Sequence, residues 1–195
     1  MLITMPSKPV AADIDWTIEQ PAQVNRSEVT SKRRVVLLGQ APRWSAKVSL
    51  PPIIGERNVE AWRAFVVDLD GVANTFKLIA CENDQITGVA PLVKGGGQAG
   101  FSLQTDGWGA AGQKLRRGQF ITINDQLLML MAPVVADATG NALIRFKPYI
   151  RTVPADNAAM EVKRPYSLMS MTDPKNGWQV GIGQKYGVQF ECEEP

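Results

Sequence analysis

The 195-residue chain is long enough to bury a core in one domain, or one domain with a small subdomain, without a disulfide or a metal to hold it. Lys and Arg number 21 against 19 Asp and Glu, and the resulting +2 is too balanced for a protein whose main task is to coat DNA or RNA. No histidine occurs anywhere, which removes the commonest general base and metal ligand. Cys81 and Cys192 form no CxxC motif and are expected to stay reduced, Cys192 acting as a small apolar side chain. No apolar stretch nears the ~20 residues that span a bilayer, and the first residues lack a charged-then-apolar signal pattern. A soluble protein with no membrane insertion and no export by that route is expected.

Residues 1–12, with Pro6, Pro9 and little periodicity, read as a mobile lead-in to a single β-rich domain over 13–195. Strand character begins at Asp13: Trp16 and Ile18 alternate with polar neighbours until Pro21 interrupts. Val35-Val36-Leu37-Leu38 is an apolar run ended by Gly39, and Gln40, Ala41 and Pro42 form a turn. Trp44, Ala46, Val48 and Leu50 follow at strict period two, placing four side chains on one face of a strand that Pro51-Pro52 stops. One principal helix is predicted near residues 58–70. Asn58 is its N-cap, Glu60 sits in its first turn, Val59, Trp62, Val66 and Leu69 form its apolar stripe beside Phe65, and Gly71 is its left-handed C-terminal cap.

Thr75 to Ala80 returns to strand, and a polar loop runs to about Pro91. Gly95-Gly96-Gly97-Gln98-Ala99-Gly100 satisfies G-x-G-x-x-G, but Phe101 to Thr105 alternate like a strand where a dinucleotide site needs a helix. A hairpin tip or bulge is the expected structure, and no cofactor is expected. Gly118 to Pro154 alternates short apolar runs with turn chemistry at Asn124-Asp125 and at Asp137 to Asn141, the pattern of antiparallel strands joined by tight turns. Met160 to Val162, Tyr166 to Met171 and Gly187 to Cys192 supply the closing strands. The fold class is mainly β, a β-sandwich or barrel-like set of antiparallel sheets with one helix.

No P-loop, catalytic triad or histidine metal site can be assembled from these residues. The carboxylates Glu56, Glu60, Asp68, Asp70, Asp106, Asp125, Asp137, Asp156 and Asp173 mostly flank Gly, Asn or Pro, where aspartate serves turns. The basic clusters Lys32-Arg33-Arg34, Lys114 with Arg116-Arg117, and Lys163-Arg164 read as solvated strand ends. Asn25-Arg26-Ser27 matches a glycosylation acceptor by accident. Of the tryptophans, Trp44 and Trp62 read as core. Trp108, flanked by glycines in Asp106-Gly107-Trp108-Gly109, is the best candidate for an exposed anchor of a protein interface, although local packing is the favoured reading even there.

Several segments, taken in order, resemble the distal tail and related tail-tip structural proteins of long-tailed bacteriophages. They are Arg26-Ser27-Glu28, Arg43-Trp44-Ser45-Ala46 ahead of Leu50-Pro51-Pro52, and Ala61-Trp62-Arg63-Ala64-Phe65 leading to Gly71. Gly100 to Trp108, Leu115-Arg116-Arg117-Gly118-Gln119-Phe120-Ile121, Gly140-Asn141-Ala142, Pro148 and Arg151 complete the series, which covers most of residues 15–192. The resemblance implies a β-rich virion structural protein with no catalytic residues. It implies a ring, of six copies, at the tip of the tail tube, joining the tube protein to the hub, fibre or receptor-binding proteins, and assembly in the host bacterial cytoplasm. The additional C-terminal carbohydrate-binding-like domain of larger relatives is expected to be lacking, since nothing before Pro195 corresponds to it. Within the same class, a tail tube, tail terminator or head–tail joining subunit is the nearest alternative. A carbohydrate-binding module, with Trp108 and Trp178 stacking on sugar rings, is the alternative from another class, and a carboxylate-pair hydrolase stands third.

Overall fold

A computed structural model describes residues 1–37 and 42–195. The apolar run at Leu38 and Gly39 and the turn expected at Gln40 and Ala41 lie outside the described residues. In chain order the strands are β1 (Leu2–Ile3), β2 (Asp13–Glu19), β3 (Ala22–Arg26), β4 (Arg33–Leu37), β5 (Arg43–Ser49) and β6 (Ile53–Ile54), followed by helix α1 (Glu56–Asp68). After the helix come β7 (Thr75–Ile79), β8 (Leu92–Val93), β9 (Ser102–Asp106), β10 (Gly112–Leu115), β11 (Phe120–Ile123) and β12 (Gln126–Leu130). The chain closes with β13 (Val134–Ala136), β14 (Ala142–Lys147), β15 (Tyr166–Met171), β16 (Trp178–Gly181) and β17 (Lys185–Glu193). The protein is mainly β with a single helix among the described residues, as the alternation and turn chemistry predict.

The larger sheet runs β1-β7-β15-β17-β5-β2. The long strand β17 is its spine: β5 and then β6 follow one of its edges, β15 and then β16 the other. Its inward side chains Tyr186, Val188, Phe190 and Cys192 alternate with exposed ones, as do Trp44, Ala46 and Val48 of β5. Helix α1 covers this face with Val59, Trp62, Phe65 and Val66, and Phe65 meets Phe76 and Phe190 at ring-centroid distances of 5.3 and 6.1 Å. The helix begins at Glu56, two residues before the predicted cap. Gly55 adopts a positive φ of 88° that turns the chain out of β6, and Asn58 commits its amide to the Ile54 carbonyl at 2.7 Å. At the other end Asn74 donates to the Asp68 carbonyl at 2.7 Å, beyond left-handed Asp70 and Gly71.

The second sheet runs β11-β12-β14-β9-β8 and curls into a half-barrel around a separate core that includes Leu103, Trp108, Ile121, Leu128, Ile144 and Phe146. Its curl has a visible cause. Both of its edges bond to one short stretch: Asn157 and Ala158 exchange backbone hydrogen bonds with Val93 of β8, and Glu161 does so with Thr122 of β11. The expected strand at Met160 to Val162 is therefore a pair of isolated bridges, at Ala159 and Glu161. The β11–β12 hairpin closes through Asn124 and Asp125, both left-handed with φ of 49° and 61°, the two-residue turn whose twist matches the flanking strands. The Gly95–Gly100 segment is a hairpin loop between β8 and β9, knit by the Gln98 side chain, and a strand follows it.

Within residues 1–12, read from sequence as a mobile lead-in, Leu2 and Ile3 pair in parallel with Thr75 and Phe76, and Ile3 enters the core. The Met1 amino group donates to Asn74 Oδ1 at 2.7 Å.

The Asp137 turn behaves as turn chemistry demands. Hydrogen bonds from the Thr139 hydroxyl, then the Asn141 N–H, then the Thr139 N–H and the Asn141 amide hold its carboxyl down at about 2, below the ordinary 3.8. Because the folded value lies below the unfolded one, the turn's contribution to stability is present above about pH 4 and is lost as pH falls toward 2. Side-chain NMR titration is expected to give Asp137 a midpoint near 2 that rises toward the ordinary value in Thr139→Ala. An ordinary midpoint in the unsubstituted protein would contradict this reading.

Candidate interaction surface

The residue offered by sequence as an exposed anchor, Trp108, has no exposed surface: its relative accessibility is 0%. Its indole N–H donates to Thr105 Oγ1 at 2.8 Å, and that hydroxyl donates to the Ala142 carbonyl at 2.7 Å. The flanking glycines produce the burial. A Cβ at Gly107 would fall 2.7 Å from the Ala90 carbonyl oxygen, and one at Gly140 would fall 3.0 Å from that of Gly109. Glycine here serves close backbone approach over a buried ring rather than an exposed loop tip. Trp108 is thus core in this chain, and the interface assignment is corrected.

Trp178 is the most exposed of the tryptophans, at 38%, with the Arg63 guanidinium 5.4 Å from its ring centroid and 4.9 Å from that of Tyr186. It lines a shallow depression of about 490 Å³ with Ser49, Gln179 and Gln189. The carboxylates are dispersed. Asp137, Asp156 and Asp173 accept backbone N–H groups in turns, Asp125 accepts the Tyr166 hydroxyl, and Glu56 pairs with Arg63 at 3.4 Å. Among the described residues no three His, Cys, Asp or Glu side chains are placed to hold a metal ion. Burial pushes the Cys192 thiol up to about 12 and raises that of Cys81, so neither is a ready nucleophile.

One titratable group that sequence reasoning does not single out organises the molecule. Glu194 is fully buried, and its carboxylate accepts four hydrogen bonds. They come from Trp44 N–H at 3.1 Å, Leu127 N–H at 3.3 Å, Ser167 Oγ at 2.8 Å and the Arg151 guanidinium at 2.8 Å. Those donors belong to β5, β12, β15 and the segment after β14, so this carboxylate joins the larger sheet to the half-barrel. Trp44 reinforces the joint, its indole donating to the Leu127 carbonyl at 3.0 Å and its ring meeting Phe120 edge-on at 5.9 Å. A signal for it exists in the sequence: the inward alternation Tyr186, Val188, Phe190, Cys192 continues to Glu194.

Edges and projections remain. The half-barrel's edges are occupied, but among the described residues β2 pairs with β5 alone and leaves seven residues of outer edge open. Beyond β2 the chain continues into the hairpin of β3 and β4, an arm whose residues from Ala22 through Val36 are all exposed. Val24 and Val35 lie opposite each other on it, and Val29 stands at its tip. Lys32, Arg33 and Arg34 belong to this arm, whereas Lys163 and Arg164 are engaged by Asp84 at 3.2 and 3.8 Å. The candidate surface is therefore the arm and the β2 edge, not a cleft.

Removing the Glu194 carboxylate strands two buried N–H groups and a guanidinium. Glu194→Ala is expected to cost roughly 3–5 kcal/mol of unfolding free energy by urea titration, with Glu194→Gln, which keeps one acceptor, costing about half. A loss below about 1 kcal/mol in the alanine variant would show that the joint is held elsewhere. Comparison of the chain with models of known protein families, and with curated proteins, finds no match.

Proposed function

We propose that this protein is a structural subunit of a bacteriophage tail tip, a distal-tail or baseplate adaptor acting by geometry rather than catalysis. Copies form a closed ring, six by the family resemblance, that contacts the tail tube on one side and the hub or fibre proteins on the other. Its place is the virion, after assembly in the bacterial cytoplasm.

The observation that carries this reading is the combination of an open sheet edge with a projecting hairpin whose side chains face solvent among the described residues. An isolated two-stranded hairpin is marginal in water, and an open edge is a template for another strand, so both features call for neighbours. Contacts between two different patches on identical subunits are heterologous, and heterologous contacts close into rings when the rotation permits. The ordered short matches between residues 15 and 192 supply the kind of ring.

A tail tube, terminator or head–tail joining subunit would use the same physics at another position in the particle. Antibody labelling of purified phage particles separates them. Label at the tail end distal to the head is expected; label along the tube or at the head junction favours the alternatives, and no label removes the virion reading.

Trp178, exposed beside Gln179 and Gln189, favours a second reading as a sugar platform. Trp108 cannot share that role, because it is enclosed. Glycan binding by the isolated protein that is lost in Trp178→Ala, with thermal stability kept, would support a binding module; no glycan binding is expected on the structural reading.

A further inference from the structure

The arm and the β2 edge carry opposite charge. Arg26, Lys32, Arg33 and Arg34 give the arm four cations against the single carboxylate of Glu28. Asp13, Asp15 and Glu19 project from the exposed side of β2. Among the described residues none of these four cations or three anions on arm and edge makes an ion pair within its own chain. The other side of β2 presents Ile14, Trp16 and Ile18, each only partly buried, at the open edge of the larger core. An apolar rim, an unpaired backbone edge and three free carboxylates thus coincide on one strand. Four free cations and the exposed pair Val24 and Val35 coincide on the arm that leaves it.

We propose that the β3–β4 arm of one copy lies along the outer edge of β2 in a second copy. Strand addition supplies backbone hydrogen bonds; with Val24 and Val35 covering the apolar rim, the opposite face of the arm brings Arg34, with Lys32 just before its strand, to Asp13, Asp15 and Glu19. This rests on the ring reading and specifies its contact. The lengths agree: five arm residues span roughly 17 Å and the seven of β2 roughly 23 Å. The arm leaves the end of the very strand whose edge it would cover, so each copy has both an arm to give and an edge to receive one. Charge sets the pairing, since like charges brought face to face are strongly disfavoured and opposite ones fix register. An arm without this partner is a short hairpin with an apolar face in water, which is marginal alone.

The test is light scattering of the full chain across concentration and salt, with two charge-reversed variants. Lys32→Glu with Arg34→Glu alters only the arm; Asp13→Lys with Asp15→Lys alters only the edge. All four positions are exposed, so each variant should keep the parent's thermal unfolding. Each alone is expected to associate roughly tenfold or more weakly than the parent, and high salt should weaken the parent. Mixing the two variants should restore association, because the acidic arm of one then meets the basic edge of the other. Assembly that persists unchanged in both variants would overturn the arm contact while leaving the ring reading standing. A parent chain that stays monomeric at every concentration would overturn the ring reading and the arm contact with it. Association lost in the variants and not restored on mixing would overturn the specific pairing of arm with edge.

Discussion

Both oxygens of the Glu194 carboxylate are occupied by donors from four separate stretches of chain, and the relative placement of the two sheets follows from that convergence. A carboxylate taken fully out of water is expensive unless its lone pairs are satisfied, and a neighbouring cation alone rarely offsets the loss. Here two backbone N–H groups, a hydroxyl and a guanidinium satisfy it together. Because the N–H groups are fixed in β5 and β12, the carboxylate can be satisfied in only one mutual arrangement of the strands. Trp44 adds a second bond and an edge-on aromatic contact across the same seam. The two hydrophobic clusters, one under α1 and one inside the half-barrel, are thereby made into one body.

That body treats its sheet edges unequally. The half-barrel is tied on both sides to the stretch from Asn157 to Glu161, which curls it and removes two edges at once. The larger sheet ends at β2 with no described strand alongside, and the chain leaves that strand for an arm that touches solvent on both faces. Proteins that act alone cover, shorten or charge such edges against pairing. This edge does carry charge, but of one sign, and the arm carries the other. A device that would repel random strands can therefore admit one particular partner, and a second copy of the same chain always has it.

Much of this fold is legible in the amino-acid sequence. Period-two runs at Trp44 to Leu50 and Gly187 to Cys192, and the helical spacing of Val59, Trp62 and Val66, reveal element type directly, because a single buried face imposes its period on the residues that form it. The Asn124-Asp125 turn is legible for a related reason: few residues accept two successive left-handed conformations. Trp108 is open to two readings because glycine has two uses, flexibility and close approach, and sequence does not say which is in force; contacts with Ala90 and Gly109 decide for packing. Glu194 escapes sequence reasoning because a carboxylate at a buried position is readable only when its donors are known, and these come from residues 27 to 150 positions away. The bridges at Ala159 and Glu161 depend on edges supplied by β8 and β11, which no local pattern announces.

In the proposed assembly, these edges and arms close copies of the chain into an annulus able to join two symmetric parts of a tail. Electron microscopy of the purified, concentrated protein, with rotational class averages, tests it most directly. Discrete rings of uniform copy number with an open axial channel are expected. Open filaments, two-fold dimers or single globular particles at every concentration would contradict this assembly.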